Sequence, residues 1–301
     1  MKKKNNIPEF FINAFYESKF RDNLFVIKAG GKVIEDEKAL ENLLSNIREL
    51  TLQGIKVLLI YGGGRAMDEE SLKRGVGVEK KDGLRINKAE NMAVMKHVVG
   101  GDLSLSISAA MQKVNLSGLS LNAVPSDWAD VDVVPKTPED LFTGAITRAH
   151  TRPINRLFKA VDFIAVSCIV ISEQGDICNI NADKIAMSMA TALKAHKLIF
   201  LSDVDGVKID GQVKGLITDQ EIDGHIASGA VTGGMKVKLD NCKAALEAGV
   251  RRIHLINGLR DNALKNEIYE PVGPGTMLIM ESDREAYENE IEAQKLVEGK
   301  K

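Results

Sequence analysis

FVIKAGG, residues 25–31, is an apolar run that ends in a lysine and then two glycines, and VLLIYGGG, residues 57–64, nearly repeats the arrangement. Between them DEKALENLLSNIRELTL (36–52) places Leu40, Leu43, Leu44 and Ile47 on one helical face. Strand, amphipathic helix and strand make a βαβ unit, which implies a parallel pair with a right-handed crossover. Each strand ends where glycine lets the chain turn and exposes peptide N–H groups with no Cβ in the way. Such strand ends suit an anionic ligand.

The alternation continues outward. Helical patterns cover about 89–114, and an irregular polar region, SDWADVDVVPKTPED, follows before the strand-like run FIAVSCIVI (163–171). After the turn-like SEQGD, NADKIAMSMATALKA (181–195) reads as a helix, KLIFLS (197–202) as a strand and GGMKVKLDNCKAALEAG (233–249) as a helix opened by glycines. RIHLIN (252–257) and GTMLIM (275–280) complete the strands, and the charged tail reads as a solvated helix. The expected fold class is α/β, a three-layer αβα sandwich around a central, mainly parallel sheet.

With 301 residues, 44% of them hydrophobic and 27% charged, the chain can bury a large core. A formal net charge of −2 and 5% aromatic content give no whole-chain case for nucleic acid. No run approaches the roughly 18 apolar residues of a membrane span. The basic start MKKKNNIPEFFINAF is interrupted by Glu9 and Asn13 and does not read as a cleaved signal. Cys168, Cys178 and Cys242 are scattered, lack zinc spacing and fit a reducing cytoplasm. No metal site is expected from them.

The familiar nucleotide signatures GxxxxGK[ST], GxGxxG, HRD and DFG do not occur. A different ordered set does: IKAGG, YGGG, KKDGLR (80–85), NINAD (179–183), LSDVDGV (201–207) and GGMKVKLDNCKAALEAGV (233–250). Taken in that order over about residues 16–280, these motifs resemble the amino acid kinase family, and within it the acetylglutamate-phosphorylating branch. Each motif alone is weak; a lysine ending a strand is by itself more often a solvated flank, and an aspartate such as Asp183 an N-cap.

The resemblance implies an ATP-dependent kinase that converts N-acetyl-L-glutamate to its 5-phosphate in arginine biosynthesis, with Mg²⁺ arriving on the nucleotide. Lys28 and Lys238 would be the catalytic pair, held by Asp183 through charge-assisted hydrogen bonds. Their role follows from the chemistry, because phosphoryl transfer to a carboxylate is mainly a matter of positioning and charge stabilisation. Gly30, Gly31, Gly62, Gly63 and Gly64 would present backbone N–H groups, while Arg85 and Asn179 would grip the substrate's α-carboxylate. Ser202, Asp203, Gly206, Gly233, Gly234 and Met235 would contact the nucleotide. Lys236, two residues from Lys238, is expected in solvent.

The same resemblance divides the chain into an N-terminal helix (1–22) for oligomerisation or regulation, an acyl-amino-acid-binding lobe (23–175), an ATP-binding lobe (176–281) and a charged tail (282–301). Tyr16, Glu267, Gly273 and Gly275 would form an arginine-binding regulatory site in a homo-oligomer, a dimer or a hexamer. Tyr61 and Arg65 stand where the family commonly has histidine and proline, and the stretches 119–135 and 167–172 also depart from it. These departures leave open a different amino acid or acyl group; a catalytically silent nucleotide-binding subunit is a separate alternative.

Overall fold

In a computed structural model, which describes residues 20–81, 84–270 and 273–297, the strand Leu24–Ala29 pairs in parallel with Lys56–Tyr61 on one side and Lys197–Ser202 on the other. Phe25, Val26 and Ile27 have no exposed surface, nor have Val57, Leu58, Leu59 and Ile60. Burial on both faces explains why these strands read as unbroken apolar runs rather than as alternating patterns. The linking helix Glu37–Leu52 starts where Asp36 Oδ1 accepts from Ala39 N at 2.8 Å, a side-chain cap for an otherwise unpaired amide. It buries Leu40, Leu43, Leu44, Ile47 and Leu50. At about 1.5–3 kcal/mol for each such side chain, packing outweighs intrinsic helix propensity.

Among the described residues the main sheet has eight strands, in the spatial order Leu216–Thr218, Thr276–Ile279, Ile253–Asn257, Lys197–Ser202, Leu24–Ala29, Lys56–Tyr61, Phe163–Ser167 and Leu119–Leu121. All its pairings are parallel except that between Ile253–Asn257 and Thr276–Ile279. Helices cover both faces, as the alternation implied. The chain order reverses around Leu24–Ala29, whose neighbours come from opposite halves of the sequence. In open α/β sheets ligands collect at such a switch point, beyond the carboxyl ends of the strands.

Three expectations need correction. The polar region after residue 126 is not irregular throughout: Ala129–Val133 and Gly144–Ala149 form an antiparallel hairpin. Their alternation is too short to stand out beside Pro135 and Pro138, and a register irregularity between Asp130 and Val131 breaks it further. The run 163–171 is two strands. Phe163–Ser167 belongs to the main sheet, whereas Ile169–Ile171 leaves it to pair with Ile177–Asn179. Finally, the helix expected over 89–114 contains a π-helical stretch, Val98–Leu103, at VVGGDL. Its wider turn is the kind of helix irregularity often found beside functional sites, and here Val99 and Leu103 press against Gly63.

Candidate active site

Lys28 lies in register with Phe200 and Ile60 on the two adjoining strands, near the carboxyl end of all three. Its Nζ is 2.8 Å from Asp183 Oδ1, and Lys238 Nζ lies 4.0 Å from Asp183 Oδ2. The cap of helix Ala182–Ala192 is supplied by Asn181, whose Oδ1 accepts from Asp183 N at 2.8 Å. Asp183 is therefore not the cap, and its carboxylate is available to both ammonium groups. Lys238 also sits over the Phe200 ring, 5.2 Å from its centroid, where a cation is favoured by the ring's negative face. Lys236 points to solvent.

The electrostatics follow from this crowding. Burial opposes the charged form of Asp183, but Lys28 and Lys238 together hold its carboxyl below the usual carboxylate range. Burial lowers Lys238, Asp183 works against that and Lys28 adds repulsion; the net direction is downward. Two cations share one anion, so the cluster keeps an excess positive charge suited to an anionic ligand.

Lys28, Asp183, Arg85 and Asn179 line one cavity of about 350 Å³. Arg85 is bound by Asp68 and donates from Nη2 to Gly64 O at 3.3 Å. Asp68 also takes Lys80 Nζ at 3.0 Å. Behind them runs a buried chain: Asn179 Nδ2 donates to Asn87 Oδ1 at 3.1 Å, Asn87 Nδ2 to Thr143 Oγ1 at 2.6 Å, and Thr143 Oγ1 to Asp140 Oδ1 at 2.6 Å. Asp140, with no exposed surface, accepts in addition from Asn87 N at 3.0 Å and Lys136 N at 3.1 Å. None of Asp68, Asn87, Asp140 or Thr143 stands out in the sequence. KKDGLR and NINAD were the visible ends of this network, but nothing local marked the residues that join them.

Two of the glycines in the strand-end turns are closely packed, whereas Gly64 has open space where a Cβ would lie. A Cβ on Gly31 would lie 2.7 Å from Glu35 Oε1, and one on Gly63 2.5 Å from Leu103 Cδ1. Gly31 and Gly64 each open a helix and so have amides without an intrahelical acceptor. Gly62, Gly63 and Gly64 line the cavity with Gly31. Gly30 differs: its N–H donates to Leu201 O at 2.9 Å, so this amide serves the strand junction. Of the two departures beside the glycines, Tyr61 is fully buried and its hydroxyl donates to Leu121 O at 3.2 Å, with burial pushing its pKa up to about 12. Arg65 pairs with Glu35 at 3.2 Å and Glu69 at 3.3 Å rather than reaching Asp183.

A second cavity, about 320 Å³, is lined by Asp203, Gly206 and Met235 among others. Gly206 has φ +145°, and a Cβ there would lie 2.5 Å from Thr276 Oγ1. Ser202 ends the strand leading into this cavity, and Gly233 and Gly234 begin the helix Gly233–Glu247. Met235 and Lys238 are three residues apart on that helix and share a face. The second cavity is thereby connected to the lysine cluster through one helix. Lys32 pairs with Asp203 across the two strand ends.

Glu267 lies elsewhere. It is 7% exposed, its Oε1 accepts from His254 Nδ1 at 2.7 Å and its Oε2 from Gly275 N at 3.0 Å. Burial brings His254 down to about 4, with Lys197 acting in the same direction and Glu267 opposing. A neutral ring that donates from Nδ1 has a bare Nε2, which accepts from Lys197 Nζ at 3.0 Å. Gly273 packs on Glu267, where a Cβ would lie 2.2 Å from Oε2. Tyr16 and the helix expected before Phe20 lie outside the described residues.

The chain belongs to the amino acid kinase family, whose pattern matches residues 23–257. An acetylglutamate kinase of Campylobacter hominis is 31% identical over 280 residues, which cover 92% of this chain and 99% of that protein. The N-acetylglutamate synthase of Neisseria gonorrhoeae, solved with coenzyme A and N-acetylglutamate, superposes with a TM-score of 0.80 at 23% identity; the match covers 90% of this chain and 63% of that longer one. Carbamate kinase from Giardia lamblia, solved with AMP-PNP, gives a TM-score of 0.61 at 17% identity, covering 86% of this chain and 99% of that one. The last two speak for the fold.

Proposed function

We propose that the protein transfers the γ-phosphoryl group of ATP to the side-chain carboxylate of N-acetyl-L-glutamate, giving N-acetyl-L-glutamyl 5-phosphate and ADP in arginine biosynthesis. The observation that carries this reading is the Lys28–Asp183–Lys238 cluster, joined to one cavity by Lys28 and Asp183 and to the other by the helix of Met235 and Lys238. A silent nucleotide-binding subunit would not need all three charges. The substrate carboxylate attacks the γ-phosphorus, the bond to the β-phosphate oxygen breaks, and Lys28 and Lys238 neutralise charge on the transferring oxygens. Asp183 is a positioning residue, holding both lysines. Mg²⁺ enters with the nucleotide as part of the substrate.

Arg85 and Asn179 bind the α-carboxylate, with the buried Asn87–Thr143–Asp140 chain fixing Asn179. That carboxylate is present in ground and transition states alike. Arg85→Ala should therefore raise KM for the acyl-amino acid by about ten-fold or more with KM for ATP nearly unchanged, as expected when uniform binding is lost. Equal rises in both would place Arg85 elsewhere. ADP release measured across a panel of free and acylated amino acids tests the function itself; turnover with another amino acid and none with N-acetylglutamate would select a different member of the family.

We assign regulation by arginine to the region of Glu267, Gly273 and Gly275, with Tyr16 contributed by an N-terminal helix that links three dimers into a hexamer. Phe20 is 1% exposed and stacks edge-on against Phe25 and His196, each with centroids 5.6 Å away. A truncation should therefore stop before it. Deleting residues 1–19 is expected to convert hexamers to dimers and to weaken arginine inhibition while phosphoryl transfer persists. Light scattering with inhibition assays checks this, and an unchanged assembly with an unchanged arginine response would refute it.

A further inference from the structure

The wall of the first cavity away from Lys28 carries more positive charge than an N-acetylglutamate α-carboxylate can use. Lys80 and Arg85 face each other directly across the short antiparallel pair Lys80–Lys81 and Leu84–Arg85. Both bind the same carboxylate, Asp68. Lys136 lines the same cavity, half-buried, and no carboxylate of the described residues lies within ion-pair distance of it. Among the described residues three cations thus face one anion, leaving two positive charges uncompensated. Arg85 and its α-carboxylate partner account for one. The reacting γ-carboxylate belongs at the opposite end, beside Lys28 and Asp183.

Lys136 is not a loose surface lysine. Its backbone N–H is held by the fully buried Asp140 at 3.1 Å and its carbonyl accepts from Lys81 Nζ at 3.3 Å, so the loop after Val133 is tied both to the network beneath it and to the Lys80–Lys81 strand. A half-buried lysine whose backbone is fixed by such a scaffold, and whose ammonium has no ion-pair partner among the described residues, is poised for an incoming anion. Met67, Met95 and Val134 supply apolar wall in the same cavity for a short methylene chain.

We propose that Lys136, in the cavity that Lys80 also lines, forms a subsite for a carboxylate at the far end of the N-acyl group, so that the preferred substrate is a glutamate acylated by a short dicarboxylic acid. This rests on the phosphoryl-transfer reading for the reaction and concerns only the acyl group. The probes are N-acetyl-L-glutamate and N-succinyl-L-glutamate, compared by ADP release. Wild-type protein should show a KM for the succinyl compound at least about ten-fold below that for the acetyl compound, the scale of one charge-assisted hydrogen bond. Lys136→Gln should collapse that ratio toward one, and Lys136→Arg should restore most of it.

Equal KM values in the wild type, or a ratio unaltered in Lys136→Gln, would overturn the subsite while leaving glutamate phosphorylation standing. If neither compound supports ADP release, the reaction assignment falls instead. Calorimetric titration of both compounds into wild type and Lys136→Gln then still judges the subsite: tighter succinyl binding that the variant loses supports it, and equal or undetectable binding refutes it.

Discussion

Lys28→Ala and Lys238→Ala should each lower kcat by about two orders of magnitude or more, the scale on which loss of one preorganised charge donor is felt. The reason is specific to the geometry. Both ammonium groups are held on one carboxylate, at 2.8 and 4.0 Å, in a setting that is mostly desolvated. In such a site a positive charge acts on the transferring group with far less screening than in water. Removing one leaves a neutral pair where an excess cation was needed. Lys236→Ala, on the same helix but exposed, should turn over normally, which separates an effect of the site from one of the helix. Steady-state assays with thermal melts on all three variants make the measurement. Near-normal kcat in both Lys28→Ala and Lys238→Ala would remove the proposed catalytic pair.

Asp140→Ala should have the largest effect on stability, lowering the free energy of unfolding by about 3 kcal/mol or more, since each buried donor left without an acceptor costs about 1–3 kcal/mol. Three donors converge on this carboxyl group: Asn87 N, Lys136 N and Thr143 Oγ1. The damage should reach catalysis as well, because Asn179 is oriented through Asn87 and Thr143. Urea unfolding gives the first quantity and KM for the acyl-amino acid the second. Asp140→Asn, which retains the shape and one acceptor oxygen, should fall between wild type and alanine. A fully wild-type urea midpoint in Asp140→Ala would mean that the three donors find other acceptors.

The two halves of the site were unequally visible in the sequence. Lys28, Gly31 and Gly62 to Gly64 follow unbroken apolar runs, and such runs announce parallel strands and their carboxyl ends. Asp183 and Lys238 could be connected to Lys28 only through the ordered motifs, because their own surroundings are ordinary helix starts. Asp68 illustrates why the rest was hidden. Among the charged residues of GRAMDEESLK it looks like solvated helix surface, and its meaning appears only where Arg85 and Lys80 fold back upon it. Asp140 meets Asn87 across 53 residues of chain, beyond the reach of any periodicity. The hairpin of Ala129–Val133 and Gly144–Ala149 was missed for a related reason: antiparallel pairing is declared by a tight turn, and here ten residues intervene.

The central position of Leu24–Ala29 between strands from the two halves of the chain has a consequence for biogenesis. While the ribosome is still making residues beyond 175, this strand has only its Lys56–Tyr61 neighbour, and its other edge is an apolar ladder with no partner until Lys197–Ser202 emerges. The second half meets the same difficulty in reverse if produced alone, since Lys197–Ser202 would present its own bare edge. Unpaired apolar edges recruit other chains. Neither half is therefore suited to separate existence, and a stalled or prematurely terminated polypeptide would be a substrate for aggregation or for quality control rather than a partly working enzyme.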